Sequence, residues 1–232
     1  MARWGMTIDQ DRCTGCGSCM TACKAENNIP FVGPEESERR RTITWMDLIP
    51  SSGNGGQEGG GPLMPRPCLH CDDPPCTKVC PVHATYSTPE GIVAQIYARC
   101  IGCRFCMAAC PYTAKYFNWY DYRPEGLVRG LNNPDVSTRP AGVVEKCTFC
   151  HHRLQQARDK AQAEKRPFRA GDYVPACVET CPPEAIVFGD LDDPSSEVAR
   201  LQRSPRARVL MPELGTKPKV AYLAREEPYA FD

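Results

Sequence analysis

Four cysteines stand close together at positions 100, 103, 106 and 110, and a proline follows the last of them at once. This spacing is typical of chains that ligate a [4Fe-4S] cluster through thiolate sulfurs. The first three cysteines lie in a tight coil that can bind three corners of one cubane. Cys110 lies one helical turn beyond Cys106, about 6 Å further along the axis, so we expect it to ligate a neighbouring cluster. A run of this kind therefore predicts a partner run nearby.

Three further cysteine groups complete the sixteen cysteines of the chain. The first group repeats the spacing of the third, and each follows a short predicted strand, residues 6–8 and 92–96, so we interpret the two as an internal duplication. Lys24 replaces the proline that follows the other groups, and we expect no effect on ligation because proline binds no iron. The other groups are Cys13, Cys16, Cys19 and Cys23; Cys68, Cys71, Cys76 and Cys80; and Cys147, Cys150, Cys177 and Cys181.

The lengths of the connections indicate which groups share clusters. Only residues 81–99 separate the second group from the third, which suits the hairpin of a compact two-cluster module. The first and fourth groups then pair across the whole chain; pairing the first with the second and the third with the fourth remains the alternative and needs longer connections. The nested pairing predicts four ligand sets: Cys13, Cys16, Cys19 and Cys181; Cys147, Cys150, Cys177 and Cys23; Cys68, Cys71, Cys76 and Cys110; and Cys100, Cys103, Cys106 and Cys80.

Other cysteine chemistries fit this pattern less well. A structural zinc site joins two separated cysteine pairs, whereas three cysteines here fall within a few residues. Sixteen cysteines could form disulfides, but their clustering and the lack of a signal peptide in residues 1–9 oppose this. Every Cys-x-x-Cys pair belongs to a quartet, which argues against a thioredoxin-like role.

The four histidines do not complete a ligand set of their own. His70, His83, His151 and His152 lack the spacing of a Rieske ligand pair. We expect His70 and His151, inside or beside the cysteine loops, to donate hydrogen bonds or to shield a cluster edge. We find no phosphate-binding loop, nucleophile elbow or acid–base pair, so we expect any substrate chemistry to take place on another protein.

The composition limits the classes of partner. The 28 basic and 28 acidic side chains balance, which argues against a nucleic-acid surface. No stretch is apolar and long enough to span a bilayer. Large aliphatic side chains are sparse, while prolines number 23 and glycines 18. We therefore expect metal binding to supply much of the folding free energy.

These observations predict an α+β chain of two nested bacterial-ferredoxin-like modules with short antiparallel hairpins, short helices and loop-rich insertions. The outer module comprises residues 1–67 and 140–190. The inner module and a connecting segment occupy residues 68–139, and an extended C-terminal tail occupies residues 191–232.

Several local elements can be predicted within these modules. Alternating apolar residues indicate a strand at 42–49, and the glycine-rich residues 51–62 indicate a flexible loop. The composition of residues 151–165 indicates a polar surface helix with a narrow apolar stripe. Residues 185–188 and 219–223 resemble strands, and we expect the segment from 183 onward to suit wrapping onto a partner.

Several sequence segments around the cysteines resemble those of one protein family. These are residues 22–28, the Pro-Pro turn of the second group, and residues 100–112, 145–153 and 177–198. With them the chain resembles the four-cluster iron–sulfur subunits of the molybdopterin oxidoreductase complexes. Members of this kind occur with dimethyl sulfoxide, polysulfide and arsenate reductases, the quinone reductase complex of sulfate reducers and alternative complex III.

The resemblance implies an electron-transfer subunit that carries four [4Fe-4S] clusters. It implies two partners, a large catalytic subunit with a molybdopterin-type cofactor and an integral membrane subunit that handles quinone. The cluster of Cys13, Cys16, Cys19 and Cys181 would face the first, and that of Cys100, Cys103, Cys106 and Cys80 the second. Association through these partners would make the chain peripheral to the membrane, more often on its periplasmic face. The equivalent subunit of a membrane hydrogenase and a self-standing polyferredoxin remain alternatives.

Overall fold

The structure is a computed structural model that describes residues 2–50, 63–121 and 130–224. The predicted flexible loop at 51–62 and the end of the predicted tail, residues 225–232, lie outside this part of the chain. The fold is a small mixed α/β arrangement in which short hairpins and short helices surround the cysteine groups. No helix within the described ranges has both the length and the apolar surface needed to cross a bilayer.

Most elements in the described part of the chain are only a few residues long. The strands are β1 (Trp4–Asp9), β2 (Asp47–Pro50), β3 (Leu63–Arg66), β4 (Thr85–Ser87), β5 (Val93–Gln95), β6 (Tyr116–Phe117), β7 (Val144–Glu145), β8 (Ile186–Asp190), β9 (Ala207–Arg208) and β10 (Val220–Leu223). The helices are α1 (Ser18–Glu26), α2 (Pro34–Glu38), α3 (Pro75–Lys78), α4 (Phe105–Ala108), α5 (His151–Ala163), α6 (Ala176–Glu179) and α7 (Glu197–Gln202). Short 3₁₀ turns occur at Tyr97–Arg99, Ala170–Asp172 and Pro212–Leu214.

A four-stranded sheet joins the two ends of the chain, with strand order β8-β1-β10-β9. β1 is antiparallel to β8 and parallel to β10, with Met6 opposite both Phe188 and Val220. The residues of β1 from Trp4 to Ile8 are buried, as are all four of β10. Strands buried on both faces read as continuous apolar runs, which fits these two segments.

The other strands of the described residues form three two-stranded antiparallel sheets: β2 with β3, β4 with β5, and β6 with β7. The pair β4–β5 lies between the second and third cysteine groups, where a hairpin was expected. α3 and α4, which carry cysteines of these two groups, pack against each other.

The packing between sheet and cysteine groups is aromatic. Trp4 of β1 stacks on Phe188 of β8, with ring centroids 5.5 Å apart, and meets the edge of Tyr173. Phe149, between two cysteines of the fourth group, stacks on His70, with centroids 3.7 Å apart. Aromatic pairs in these geometries contribute about 0.5–1.5 kcal/mol beyond the area they bury.

Several predicted elements are confirmed. The helix expected at 151–165 is α5, which buries Leu154 and Ala161 and leaves its polar face outside. The short strands expected before the first and third groups are β1 and β5. The strand predicted at 42–49 is wrong in its first half, because β2 begins only at Asp47. Trp45 and Met46 are both buried, so side chains do not alternate there, and Trp45 Nε1 donates to Glu145 across the core.

The segment from 183 onward, which we expect to suit wrapping onto a partner, also has contacts within the chain. Its described residues pack on the chain itself: β8 and β10 flank β1, and α7 packs on the same sheet. The side chains of β10 are almost fully buried. Because β1 lies between β8 and β10, these C-terminal strands satisfy the backbone hydrogen-bonding groups on both edges of the N-terminal strand.

Candidate metal centres

A cavity lies between the first cysteine group and the end of the fourth. Its lining includes Cys13, Cys16, Cys19 and Cys181, which we call site one, together with the glycines of the loop. Burial, together with the negative charges of the neighbouring Cys13 and Cys181, raises the pKa of the Cys19 thiol to about 12. Cys13 and Cys181, which are 168 positions apart in the chain, therefore line the same cavity.

A second cavity lies between the second and third groups. Cys68, Cys71, Cys76 and Cys110, which we call site three, line it together with Pro74, Pro75 and Lys115. Cys110 reaches it because α4 ends at Ala108 and the chain then turns away from the other cysteines of its own run. Burial raises the pKa of Cys71 to about 12 and that of Cys76 to about 11.

A third quartet is buried in the interior. Site two consists of Cys23, Cys147, Cys150 and Cys177. Burial raises the thiol pKa of Cys23 and of Cys177, and the negative charges of neighbouring cysteines in the site raise both values as well. The side-chain amide of Asn27 lies 3.7 Å from the sulfurs of both Cys23 and Cys150, so it joins the first group to the fourth. Cys147 also interacts with Cys68 of site three.

The fourth predicted quartet is Cys80, Cys100, Cys103 and Cys106, which we call site four. Cys106 is buried against Cys76, Val93 and Val144, with Cys100 packed beside them. Cys80 directly follows the turn that ends α3, and the packing of α3 on α4 brings this segment to the third group. Cys103 is exposed.

The sulfurs accept hydrogen bonds from the backbone, which suits thiolate ligands. The N–H of Ala84 donates to Cys80 Sγ at 3.2 Å and that of Ala185 to Cys181 Sγ at 3.3 Å. In both cases proline follows the cysteine, the helix ends, and the residue before the donor has a positive φ. Similar bonds reach Cys100 from Val144 and Cys147 from Phe149.

The exit from the first group is different, because Lys24 stands where the others have proline. α1 continues to Glu26, and the backbone N–H of Asn27 donates to the carbonyl of Cys23. The side-chain amide of Asn27 takes over the contact with the sulfur. Where proline follows Cys80 or Cys181, a backbone N–H donates to the sulfur, whereas a side-chain amide contacts the sulfur of Cys23, which Lys24 follows. We did not predict this difference from the sequence.

The donor sets fit [4Fe-4S] clusters. The structure, which describes all sixteen cysteines, has no disulfide between them. No three His, Cys, Asp or Glu side chains in its described ranges converge closely enough to hold one metal ion. Two sets of four cysteines instead line cavities, as a multi-atom cluster with four thiolate ligands requires.

His70 lies between these sites and is fully buried. Its Nδ1 accepts a hydrogen bond from Val93 N at 3.1 Å, so its proton is on Nε2, which has no hydrogen-bond partner among the described residues. Burial and the charges of Lys146 and Lys219 hold its pKa well below the usual range. His70 is therefore neutral.

Buried cations near the cysteines were not predicted from the sequence. Four lysines are almost fully buried in the described part of the chain: Lys24, Lys115, Lys146 and Lys219. Lys24 and Lys146 adjoin cysteines, which could have suggested a role, but nothing local marks Lys115. Sequence reasoning also missed the ion pair of Glu26 with Arg153, which ties α1 to α5 and whose carboxylate also meets His152.

The sequence matches three family models. One described as a 4Fe-4S binding domain matches residues 4–25, and two described as 4Fe-4S dicluster domains match residues 61–125 and 99–152. Together they span cysteines of all four groups.

Curated proteins similar to the chain align along almost its whole length. The iron–sulfur cluster-binding subunit of menaquinone reductase from Nitratidesulfovibrio vulgaris is 52% identical, covering 97% of this chain and 90% of that protein. A putative dimethyl sulfoxide reductase iron–sulfur subunit from Halobacterium salinarum is 42% identical, with 97% and 80% covered. The iron–sulfur subunit of an arsenate respiratory reductase from a Shewanella species is 36% identical, with 95% and 96% covered.

Proposed function

The chain belongs to the family of iron–sulfur subunits of the molybdopterin oxidoreductase complexes, and from this we propose that it conducts electrons in a fixed order between two partner subunits. It is an electron-transfer subunit with four [4Fe-4S] clusters. Such clusters, when bound, accept and release single electrons. The chain's own residues hold them, exclude water and set the surface that each partner meets.

The proposed ligands are the four nested quartets. Two of them line cavities, and a third forms a buried group whose members interact. Site four rests on the packing of α3 against α4 and on the equivalence of Cys80 with Cys110. The alternative pairing of first with second and third with fourth groups would separate Cys181 from Cys19, and these residues share a cavity.

The proposed order is site one, site two, site three and site four. Neighbouring sites meet through single cysteines: Cys19 interacts with Cys23, and Cys147 with Cys68. Cys76 and Cys106 pack together between the last two sites. These contacts support a linear path whose interior members are sites two and three.

The distribution of exposure carries this proposal. Ten of the sixteen cysteines are buried, and only Cys16 and Cys103 are exposed. Each belongs to a terminal site of the proposed path. Electrons can therefore enter and leave the chain at these two loops, while the interior sites are kept from solvent.

We propose that Cys16 faces a catalytic subunit and Cys103 an integral membrane subunit that handles quinone, as in the family the chain resembles. The surface supports this assignment, because Ile101 and Phe105, both 64% exposed, flank Cys103 and would suit an apolar partner. The chain would then be peripheral and held to the membrane through its partners. Its side would be the periplasmic one, which proteinase treatment of spheroplasts can test.

The test of function uses the matched variants Cys16→Ser and Cys103→Ser in the purified complex. Iron analysis of the unaltered complex should give about 16 iron atoms per copy of this chain. Cys103→Ser should slow quinol-linked turnover at least tenfold and leave activity with an artificial donor to the catalytic subunit nearly unchanged. Cys16→Ser, at the other end of the path, should slow quinol-linked turnover as well.

Two outcomes would contradict the proposal. If Cys103→Ser abolished the artificial-donor activity while the catalytic subunit kept its cofactor, the polarity of the path would be reversed. Iron maps from anomalous diffraction that placed Cys23 on the cluster of Cys13 would overturn the nested ligand sets.

A further inference from the structure

Lys115 is a buried cation whose protein partners are uncharged. Its side chain is 3% exposed. The ammonium donates to Thr85 Oγ1 at 3.1 Å and to Gln95 Oε1 at 3.3 Å. In the described ranges no carboxylate lies within ion-pair distance of it. Lysine is almost never fully buried without a counter-charge, because removing the charge from water costs several kcal/mol.

The position of Lys115 is determined by the β4–β5 hairpin. Thr85 and Gln95 stand opposite each other in the register of this hairpin. The hydroxyl of Thr85 donates to Gln95 Oε1 at 2.6 Å, and both oxygens accept from the ammonium. The cross-strand pair therefore holds the charge in one place, since each oxygen is committed to the same small network.

The charge lies beside cysteines of two sites. Lys115 lines the cavity of site three together with Cys76 and Cys110. Thr85, to which the ammonium donates, begins β4 five residues after Cys80 of site four. The ammonium is thus shared between the two sites that the hairpin connects.

We infer that Lys115 is a fixed counter-charge that raises the reduction potentials at sites three and four. The inference rests on the proposed ligand sets of these two sites. Four thiolates make each loaded site anionic, and reduction adds a further negative charge. A nearby cation in a low-dielectric interior stabilises the reduced form more than the oxidised form. Net charge and hydrogen bonding are among the factors that set cluster potentials.

Lys219 provides a matched control. It is also a lysine, 1% exposed, but its ammonium is paired with Asp72 at 2.8 Å. Asp72 also pairs with Arg3, so removing Lys219 does not leave the carboxylate alone. A Lys219→Met variant therefore removes a buried lysine whose charge is already compensated.

The experiment is a potentiometric titration of the purified complex followed by electron paramagnetic resonance, with iron analysis of each sample. In Lys115→Met, two of the four potentials should fall by at least a tenfold change in the reduction equilibrium, about 59 mV for a one-electron couple. Lys115→Arg, which keeps the charge, should restore both. Lys219→Met should leave all four within a threefold change.

Retained potentials in a fully loaded Lys115→Met sample would overturn the inference, as would an equal shift in Lys219→Met. If Lys115→Met is short of iron, Lys115→Gln, which can still donate to Thr85, is titrated in its place. Iron loss in both variants would show that Lys115 is only structural. Fewer than four clusters in the unaltered complex would instead contradict the proposed function, so the two failures can be distinguished.

Discussion

The first and third cysteine groups are two copies of one segment whose backbones agree and whose side chains do not. Each copy places a glycine with positive φ before its exposed cysteine, Gly15 at +67° and Gly102 at +71°. Each begins its helix after a left-handed residue, Gly17 in one and Arg104 in the other. The backbones of the two groups therefore follow the same path around their cysteines.

The surfaces of the two copies differ. Cys16 bonds to Ser18 Oγ at 3.4 Å, and this bond lowers the pKa of its thiol. Phe105 stands at the equivalent position beside Cys103, and Arg104 lies over the rings of Phe117 and Trp119. Holding the cluster constrains the cysteines and the backbone, whereas the flanking side chains are free to match different neighbours.

The helices differ too. α1 has nine residues and α4 has four. The longer helix carries Glu26 to Arg153, which anchors the first copy to α5. The third copy relies on its backbone contact with the loop before β7, where Gly102 meets Gly142.

The largest effect should come from alanine at the glycine that precedes the exposed cysteine of each group. In Gly102→Ala the new Cβ would lie 2.3 Å from the carbonyl oxygen of Gly142, and backbone cannot yield easily. We expect site four to lose its iron, which lowers the iron content by about a quarter. In Gly15→Ala the nearest atom is Leu63 Cβ at 3.4 Å. Only the left-handed strain of about 1–2 kcal/mol then applies.

Iron analysis and the thermal loss of visible absorbance measure both variants. Gly15→Ala should keep its iron and lose stability by about 2–8 °C, given the usual relation between free energy and melting temperature. Equal behaviour of the two variants would show that the copies do not differ in their packing.

A smaller, pH-dependent effect on stability should distinguish the first cysteine group from the third. Hydrogen bonds from Arg153, opposed by burial, lower the pKa of Glu26. A carboxylate with a depressed folded pKa stabilises the fold above its unfolded pKa, and this stability is lost as the pH falls through the folded pKa. Glu26→Gln should cost about 1–2 kcal/mol at pH 7, seen as earlier thermal loss of absorbance. The difference in thermal stability between Glu26→Gln and the unaltered chain should become smaller below about pH 4, which is near the ordinary pKa of glutamate.

Glu179→Gln is the control, because Glu179 is 60% exposed and binds the outer side of the same Arg153. It should change stability by less than about 1 kcal/mol at any pH. If the stability difference between Glu26→Gln and the unaltered chain stayed constant down to acid pH, the carboxylate charge would not be what anchors the first group.

The smallest effect should come from Asn27→Leu, which removes the amide near the sulfurs of Cys23 and Cys150. Loss of a donor to thiolate destabilises the reduced form, so the potential of site two should fall by less than a tenfold change in the equilibrium, about 59 mV. Potentiometric titration followed by electron paramagnetic resonance measures this potential. Asn118→Leu is the control, because this buried amide bonds to the carbonyls of Arg139 and Pro140. An equal shift in both would refute a specific role.

The sequence was informative where the signal is local. Cysteine spacing indicated the quartets, and composition indicated α5 to within two residues of its end. The strand at 42–49 failed because Trp45 is drawn into the core by Glu145, a contact 100 residues away that local alternation cannot reveal. Lys115 was missed for the same reason, since its neighbours Thr85 and Gln95 come from a separate hairpin.

The central place of β1 in the sheet has a consequence for synthesis of the chain. β1 leaves the ribosome well before its neighbours β8 and β10, which follow it by more than about 170 residues. The cavity that joins Cys13 to Cys181 can close only after most of the polypeptide has been translated. The cysteines at 68–110 form one contiguous stretch and can assemble earlier. A product that terminates before this part of the chain therefore lacks Cys181 and the strand β8 that line the first site.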